Sequence, residues 1–581
     1  MDTLKRILSF SKKYIWYAVI SVIFGGVSIV CANIMPKIQQ LIIDHCLKER
    51  HFELLWKFAL LYVIAILFRI GGFFMQKYFA ELVAQFSVYD LRNRLFDHIQ
   101  RLSFTYHDNT ESGQLISRST SDINTMQMFL SQGLVLIIQF IVMLVTSVIF
   151  SFLTCPKLAV AIFIIVPFIS LYIRKYSQII RPCFRNVQDQ IGNMTAFISQ
   201  NLLGIKVIKS YTREQDQVAK FTGLADELYS RFIKTARVMA IFAPLIGTFI
   251  YSGQIVIFFY GGYLAVKDQV TIGAIVAFIG YFYNLLGAIN NLSNFITIIQ
   301  NAMASGDRVF EILKTKPEKI KDGHIVMSSA DGSVEFRNAG FTYSDGYRAL
   351  SNINIKAEPG QMIGIIGKTG SGKTTLINLI SRFYDVTEGE ILIDGTNIKE
   401  YTIDSLRRHV GIVAQESFLF ADTIRANISY PRNASDEEIE EAAKAAGIHD
   451  FIMSLPEGYD TIIGERGVDL SGGQKQRLSI ARALILNPQI LIMDDSTSAL
   501  DTQTEAQVQK AIDNLTEKRT TFMIAQRISS IIGADCILVL DRGRIAESGT
   551  HEELIKLKGY YKKIFDSQLI EKESSQKGGE A

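Results

Sequence analysis

Six long apolar stretches in the first half of this 581-residue chain constrain its fold more than any other feature. A helix of about 20 apolar residues crosses the hydrocarbon core of a bilayer. One such stretch is compatible with a buried helix in a water-soluble protein, but six before residue 306 are not. We therefore predict an all-α transmembrane domain over residues 1–313. Its six spans cover residues 14–35, 58–76, 133–153, 158–173, 238–266 and 272–303.

Lys and Arg predict the orientation of these spans. The N-terminus and the long connections 77–132 and 174–237 are rich in both residue types, whereas the short connections 155–157 and 267–271 carry one Lys each. Positive connections stay in the cytosol, so we expect the long connections and both termini there. Apolar residues spaced three and four apart over 91–102 predict that helices continue past the membrane.

Arg69 is the one ionisable residue deep within a predicted span. An arginine at that depth is expensive and often functional. Contact with a transported molecule, pairing with a carboxylate, and extension of the side chain towards the membrane surface all remain open.

A phosphate-binding loop is predicted in the second half of the chain. Residues 367–375 read Gly-Lys-Thr-Gly-Ser-Gly-Lys-Thr-Thr and fit the pattern G-x-x-x-x-G-K-[ST]. A short β-branched run precedes them and a helical pattern follows, which is the context that the pattern needs. Backbone N–H groups of such a loop bind phosphates, the lysine reaches the β/γ oxygens, and the hydroxyl after it holds Mg²⁺. The expected nucleotide contacts are Gly367, Lys368, Thr369, Gly370, Ser371, Gly372, Lys373, Thr374 and Thr375.

The pattern changes after residue 313 from apolar helices to short β-branched strands alternating with amphipathic helices. This alternation predicts an α/β domain over residues 333–568. A charged linker, 314–332, precedes it, and a polar segment, 569–581, is predicted to be a disordered tail. The expected fold class is a multidomain membrane protein, with a six-helix all-α transmembrane domain followed by an α/β P-loop nucleotide-binding domain.

Five further motifs occur in a fixed order around this loop. They are Phe-Thr-Tyr at 341–343, Val-Ala-Gln-Glu at 413–416, Leu-Ser-Gly-Gly-Gln at 470–474, Ile-Leu-Ile-Met-Asp at 490–494 and Ser-Ala-Leu-Asp at 498–501. With these motifs the chain resembles one half of an ATP-binding cassette (ABC) exporter, and the resemblance covers nearly the whole chain.

The resemblance implies ATP and Mg²⁺ as cofactors and gives each motif a role. Tyr343 would stack on the adenine, and the Gln415 amide would touch both Mg²⁺ and the attacking water. Asp494 would be the carboxylate beside the metal, together with Thr374 and Gln415. The signature segment would close over the γ-phosphate held by the opposite nucleotide domain. Its expected contacts are Ser471, Gly472, Gly473 and Gln474.

Two positions depart from the family pattern, and in the family both act in the hydrolysis step. Asp495 stands where fully active members carry a glutamate, and Gln526 stands where they carry a histidine. An aspartate is one methylene shorter, and a displacement of about 1 Å can slow a reaction about a hundredfold. Gln526 can still donate a hydrogen bond but has no switchable proton. Asp495, Gln526 and Gln415 are therefore the predicted catalytic positions, in a site that binds ATP and cleaves it slowly or not at all.

The prediction is an ATP-dependent exporter of a hydrophobic or amphipathic small molecule or lipid, acting as the degenerate-site half of a heterodimer with a second half-transporter. It would lie in the plasma membrane. Two alternatives stay open: a homodimeric exporter that hydrolyses slowly at Asp495, and an ATP-gated membrane regulator without transport. A net charge of +3 gives no argument for nucleic acid, and none is expected. The five cysteines lack a paired spacing and predict neither disulfides nor a zinc site.

Overall fold

The structure is a computed structural model that describes residues 2–48, 51–318, 323–415, 417–464, 470–494, 516 and 519–577. The chain divides into two compact units. The first comprises Met1–Gln100 and Gly113–Thr315, and the second comprises Arg101–Ser112 and Lys316–Ala581. The division after Thr315 lies close to residue 313, where the predicted transmembrane domain ends. The short piece Arg101–Ser112, however, belongs to the second unit.

The first unit is helical throughout its described residues. Helices satisfy all their backbone hydrogen bonds internally, which is what a segment in hydrocarbon requires. The helices, with α4 belonging to the second unit, are α1 (Asp2–Ser11), α2 (Ile15–Leu41), α3 (Leu55–Gln100), α4 (Phe104–Asp108), α5 (Ser112–Ser117), α6 (Ile123–Met128), α7 (Leu134–Thr154), α8 (Pro156–Leu203), α9 (Ile205–Ser210), α10 (Glu214–Val266) and α11 (Ile272–Lys314). Short 3₁₀ or π turns occur at Lys12–Tyr14, Ile42–Lys48, Phe52–Leu54, Arg118–Asp122 and Phe129–Gly133.

Three helical stretches among the described residues are long and apolar enough to cross a membrane, judged by length and composition. They are Asp2–Lys48, Phe52–Gln100 and Ser112–Thr154. Two shorter apolar helical stretches follow, Tyr251–Val266 and Ile272–Gly287. The six predicted stretches coincide with parts of α2, α3, α7, α8, α10 and α11 to within one residue, and the number of spans stays a prediction.

Small residues let α2 and α3 approach closely. A Cβ on Gly72 would lie 2.9 Å from the carbonyl oxygen of Phe24, so this position admits no side chain without a shift of backbone. The Ser21 hydroxyl donates to the carbonyl of Gln76 at 2.8 Å. Small side chains at such contacts give apolar helices the close van der Waals packing that holds them together in lipid.

A buried amide connects three of the long helices. Asn33 on α2 donates to Thr146 Oγ1 on α7 at 2.9 Å. Its own Oδ1 accepts from Ser147 Oγ at 3.1 Å and from Asn284 Nδ2 on α11 at 3.3 Å. Because a buried amide is costly without partners, this set of hydrogen bonds fixes the rotation of α2, α7 and α11.

The described residues of the second unit form two sheets. The four-stranded sheet has the order β2-β1-β4-β5 and the six-stranded sheet the order β10-β9-β3-β8-β7-β6. The inner pairs of the larger sheet are parallel, and only β10 pairs antiparallel to its neighbour. The strands are β1 (Val334–Thr342), β2 (Arg348–Ala357), β3 (Met362–Gly367), β4 (Glu388–Ile393), β5 (Thr396–Asn397), β6 (Val410–Val413), β7 (Ile490–Asp494), β8 (Thr520–Ile524), β9 (Cys536–Asp541) and β10 (Arg544–Gly549).

Helices cover the larger sheet, which explains its continuous apolar strands. Residues 490–493 of β7 are all buried, as expected for a parallel strand with both faces covered. The helices of this unit are α12 (Lys373–Ile380), α13 (Ile403–Arg408), α14 (Ile424–Ile428), α15 (Asp436–Ala445), α16 (His449–Met453), α17 (Gly472–Leu486), α18 (His551–Leu557) and α19 (Tyr560–Lys577).

Helix α19 runs through most of the segment predicted to be a disordered tail. The prediction rested on a polar composition, but Lys, Glu and Gln are also good helix formers. The helix is anchored at its start by Tyr561, which is fully buried. The structure therefore differs from the prediction over residues 569–577, and residues 578–581 lie outside the described residues.

The segment Arg101–Ser112 packs on the second unit through aromatic side chains. The Phe104 ring stacks on Phe383 with centroids 4.7 Å apart and meets Tyr384 edge to face at 5.9 Å. The Tyr384 hydroxyl donates to Asp108. Burial, together with this carboxylate, raises the pKa of Tyr384 above its usual range, so the hydroxyl keeps its proton.

We expect Phe104→Ala to loosen this segment without affecting nucleotide binding. Removing the ring deletes two aromatic contacts, each worth about 0.5–1.5 kcal/mol beyond its buried area. Amide hydrogen exchange of residues 104–108 in the full-length protein should accelerate about tenfold. Thr105→Ala on the same helix keeps both contacts and should exchange like the parent, and equal exchange in the two variants would contradict the assignment.

Candidate nucleotide-binding site

The carboxyl ends of four parallel strands meet at one edge of the larger sheet. In the register of β3, β8 and β7, Ile365 lies opposite Ile524, and Ile524 lies opposite Asp494. Neighbouring β6 ends at Val413. Loops that leave parallel strands at their carboxyl ends form the usual ligand crevice of an open α/β sheet. This edge carries the segments that begin at or pass through Gly367, Gln415, Asp494 and Gln526.

Glycines shape the loop between β3 and α12. Gly370 and Gly372 have φ values of +79° and +101°, which residues with a side chain rarely adopt. A Cβ on Gly372 would lie 2.8 Å from the carbonyl oxygen of Ala349, and one on Gly367 would lie 2.4 Å from that of Leu540. The loop can therefore keep this path only with glycine at these positions. Neither Ala349 nor Leu540 belongs to a motif that could have indicated this contact from the sequence.

Lys373 begins α12 and reaches back across the loop. Its Nζ donates to the carbonyls of Gly367 at 2.8 Å and Lys368 at 3.0 Å. The Ser371 hydroxyl is buried and has no hydrogen-bond partner within the described residues. Thr374 is exposed at the same helix start, and Thr375 is buried behind it. A positive helix end, an ammonium group and an unsatisfied hydroxyl fit a phosphate chain.

Tyr343 lies beside the first turn of α12. Its hydroxyl is 2.9 Å from Thr375 Oγ1, and its ring meets Tyr384 edge to face at 5.6 Å. The structure thus brings Tyr343 next to the phosphate loop, although the two are about thirty positions apart in the chain. Its stacking on an adenine stays a prediction.

The signature residues form the start of α17. Ser471 Oγ accepts from the N–H of Gln474 at 3.3 Å, and Gln474 Oε1 accepts from the N–H of Ser471 at 2.8 Å. This reciprocal capping box holds the helix start in a fixed shape. Gly472 and Gly473 follow in the first turn, where backbone N–H groups lack partners within the helix.

The structure describes two of the three predicted catalytic positions, Gln415 and Gln526. Gln526 is exposed two residues after β8, and Gln415 is exposed two residues after β6. Asp494 ends β7. Asp495 and the predicted segment 498–501 lie outside the described residues, as does Glu416.

The donor set fits ATP with Mg²⁺. Mg²⁺ prefers oxygen ligands and is commonly held by one or two carboxylates together with substrate phosphates. A hydroxyl (Thr374), an amide (Gln415) and a carboxylate (Asp494) stand on segments that meet at the same edge. With the phosphate chain on the loop, these groups would hold the metal beside the β- and γ-phosphates, and the metal would supply charge neutralisation there.

Comparisons with known proteins identify the family of the chain. The family profile described as "ABC transporter transmembrane region" matches residues 17–289, and the one described as "ABC transporter" matches residues 350–498. The uncharacterized ABC transporter ATP-binding protein YknU of Bacillus subtilis (strain 168) is 38% identical over 98% of both chains. The chain belongs to the ABC transporter family.

Two further relatives carry functional names. The putative multidrug export ATP-binding/permease protein YgaD of Bacillus subtilis (strain 168) is 35% identical over 98% of this chain and 100% of its own. The ATP-dependent lipid A-core flippase of Syntrophus aciditrophicus (strain SB) is also 35% identical, over 98% of this chain and 95% of its own. The chain is thus an ABC exporter with a helical transmembrane domain and an ATP-binding domain. Its ATPase domain binds ATP and couples hydrolysis to transport across the plasma membrane.

Gly372→Ala tests the geometry of the phosphate loop in this exporter. An alanine in this left-handed conformation costs about 1–2 kcal/mol, and its Cβ would collide with the carbonyl of Ala349. We expect the affinity for MgATP, measured by titration calorimetry, to fall at least about tenfold. Gly360→Ala is the matched control, because Gly360 has φ +80° and open space around it. Equal affinity in the two variants would contradict the role of the loop.

Proposed function

We propose that this chain is the degenerate-site half of a heterodimeric ABC exporter. One observation carries the proposal: Asp495 and Gln526 replace the two groups that act on the γ-phosphate bond, while the phosphate loop keeps every binding residue. Its own site then binds MgATP and cleaves it slowly or not at all. Hydrolysis takes place mainly at the site built on the partner's phosphate loop.

The signature segment gives this chain its part in the partner's site. Helix α17 presents a capped N-terminus, where backbone N–H groups and the positive end of the helix dipole favour an anion. In the proposed dimer, this end faces the γ-phosphate on the partner's loop. The chain would therefore lose ATP cleavage at its own site, where the catalytic pair is altered. Through its intact signature segment it would still contribute to the partner's site.

Transport would follow from closure of the two nucleotide domains. ATP binds more tightly to the closed dimer than to the open one, and this differential affinity drives the change. Six spans from each subunit would enclose a cavity that turns from inward-facing to outward-facing. The Lys- and Arg-rich connections support a cytosolic location for the nucleotide domain and both termini.

A cavity of about 670 Å³ among α2, α3, α7 and α11 supports a substrate with both apolar and polar parts. Its wall is mostly apolar, with Arg69, Gln139 and Asn284 among the polar exceptions. The Arg69 guanidinium lies 3.7 Å from the sulfur of Met35. The names of two relatives, a multidrug exporter and a lipid flippase, agree with a hydrophobic or amphipathic small molecule or lipid.

The first test is the steady-state ATPase of the full-length chain alone in lipid discs. We expect MgATP to bind with normal affinity and to turn over at the rate of Lys373→Ala, because the groups that act on the attacking water are altered. Nucleotide binding is measured in parallel by calorimetry. Turnover that depends on Lys373 and exceeds about 10 s⁻¹, a median enzyme rate, would instead establish a homodimeric exporter.

Restoring the glutamate and the histidine of the family pattern tests whether these two positions limit hydrolysis. The double variant Asp495→Glu with Gln526→His should raise turnover of the chain alone about a hundredfold, since the longer carboxylate regains about 1 Å of reach. Adding Lys373→Ala to this background should abolish the gain. An unchanged rate would mean that these two positions do not limit hydrolysis.

A further inference from the structure

The last helix holds the segment that carries Gln526. On α19, the Gln568 amide makes two hydrogen bonds to the backbone of that segment. Its Nε2 donates to the carbonyl of Gln526 at 2.7 Å, and its Oε1 accepts from the N–H of Ile528 at 2.9 Å. A single side chain thus holds the backbone on both sides of Arg527, in the segment that follows β8. No sequence motif indicated this residue.

The two hydrogen bonds need a side chain that donates and accepts at once. Among side chains of this length, only glutamine offers an N–H donor and a carbonyl acceptor on one planar group. Between the two bonded backbone groups, the side chain of Gln526 is exposed at the carboxyl edge of the sheet, while that of Ile528 is buried. The bridge therefore sets the direction in which the Gln526 side chain leaves the backbone.

Helix α19 is itself firmly placed. Glu547 on β10 accepts from the backbone N–H groups of Tyr560 and Tyr561, the latter at 3.0 Å. The Tyr561 side chain is fully buried, and its hydroxyl lies 2.8 Å from His551 Nδ1. Burial raises the pKa of Tyr561 to about 12, so the hydroxyl stays neutral at physiological pH.

The same helix also reaches the phosphate loop. The Nζ of Lys368 lies 5.7 Å from the centroid of the Tyr560 ring, within the range of a cation–π contact. One helix thus contacts both the loop that binds phosphates and the segment that carries Gln526. Through these contacts α19 helps to fix the position of the phosphate loop relative to the Gln526 segment.

We propose that Gln568 is a positioning residue that sets the Gln526 side chain against the γ-phosphate. The proposal rests on the proposed function, in which Gln526 replaces the family's histidine at that phosphate. Gln568 acts only through the Gln526 segment and touches no nucleotide. Its loss should therefore change hydrolysis and the order of that segment, and leave MgATP affinity unchanged.

The first measurement is hydrogen exchange of the full-length protein in lipid discs, with and without a non-hydrolysable ATP analogue. Gln568→Met keeps the length of the side chain and good helix propensity but removes both hydrogen bonds. We expect exchange of the Ile528 amide to accelerate about tenfold and the nucleotide-dependent protection of residues 525–530 to disappear. Gln568→Glu keeps the acceptor for the Ile528 N–H, so its exchange rate at Ile528 should lie between those of the parent and Gln568→Met.

Ser567→Ala is the matched control. The Ser567 hydroxyl donates to the carbonyl of Lys563 within α19, so its loss changes the same helix without touching the bridge. This variant should keep the parent's exchange and protection. Protection of residues 525–530 that survives in Gln568→Met, or is lost equally in Ser567→Ala, would overturn the proposal.

The second measurement uses the background Asp495→Glu with Gln526→His, where turnover is expected to be large enough to measure. Gln568→Met should lower kcat about threefold to tenfold there and leave KM for ATP within about twofold, since positioning acts on the transition state. A fall in affinity with unchanged kcat would overturn the proposal. If that background gives no turnover, the proposed function has failed, and the protection of residues 525–530 alone decides the role of Gln568.

Discussion

Parallel pairing of β3, β8, β7 and β6 is the constraint on which the nucleotide site depends. The strands are short apolar runs, and β3, β8 and β7 at the centre of the sheet bury both faces, so their register is fixed by packing against helices on either side. Because all four run the same way, the polar residues that follow them meet at one edge. The phosphate loop, Gln415, Asp494 and Gln526 come from positions up to about 160 residues apart, and no local contact could bring them together.

The local part of this site was predictable from the sequence, since it depends on residues close together in the chain. Gly372 and Lys373 lie in a pattern whose spacing already implies a turn with positive φ followed by a helix. The capping box of Ser471 and Gln474 is likewise a four-residue pattern. The contacts that the sequence did not indicate join distant residues. Asp108 accepts from Tyr384, 276 positions away, and Gln568 donates to the carbonyl of Gln526, 42 positions away. No periodicity in the sequence indicates either contact.

Large side chains determine where two segments of the second unit lie. In Arg101–Ser112, Phe104 stacks on Phe383 of the same unit. The end of the chain has the composition of a tail, yet Tyr561 is buried and Glu547 accepts from the first backbone N–H groups of α19. In both segments a few buried or aromatic side chains outweigh the average composition, because burial energy is concentrated in large apolar groups.

Binding and cleavage are separable in such a site because they use different groups. Glycine-shaped backbone, Lys373 and the start of α12 act on phosphates that are present in the ground state, and they hold ATP whether or not it is cleaved. In the proposed function, Asp495 and Gln526 would act only as water attacks the γ-phosphorus and the bond to the leaving ADP breaks, a step in which a carboxylate shorter by one methylene would lie about 1 Å too far away. A site altered only in the second set keeps the energy of ATP binding, which is what closes two nucleotide domains. In the proposed heterodimer, ATP bound to this chain would therefore contribute to the conformational change, and hydrolysis at the partner's site would end it.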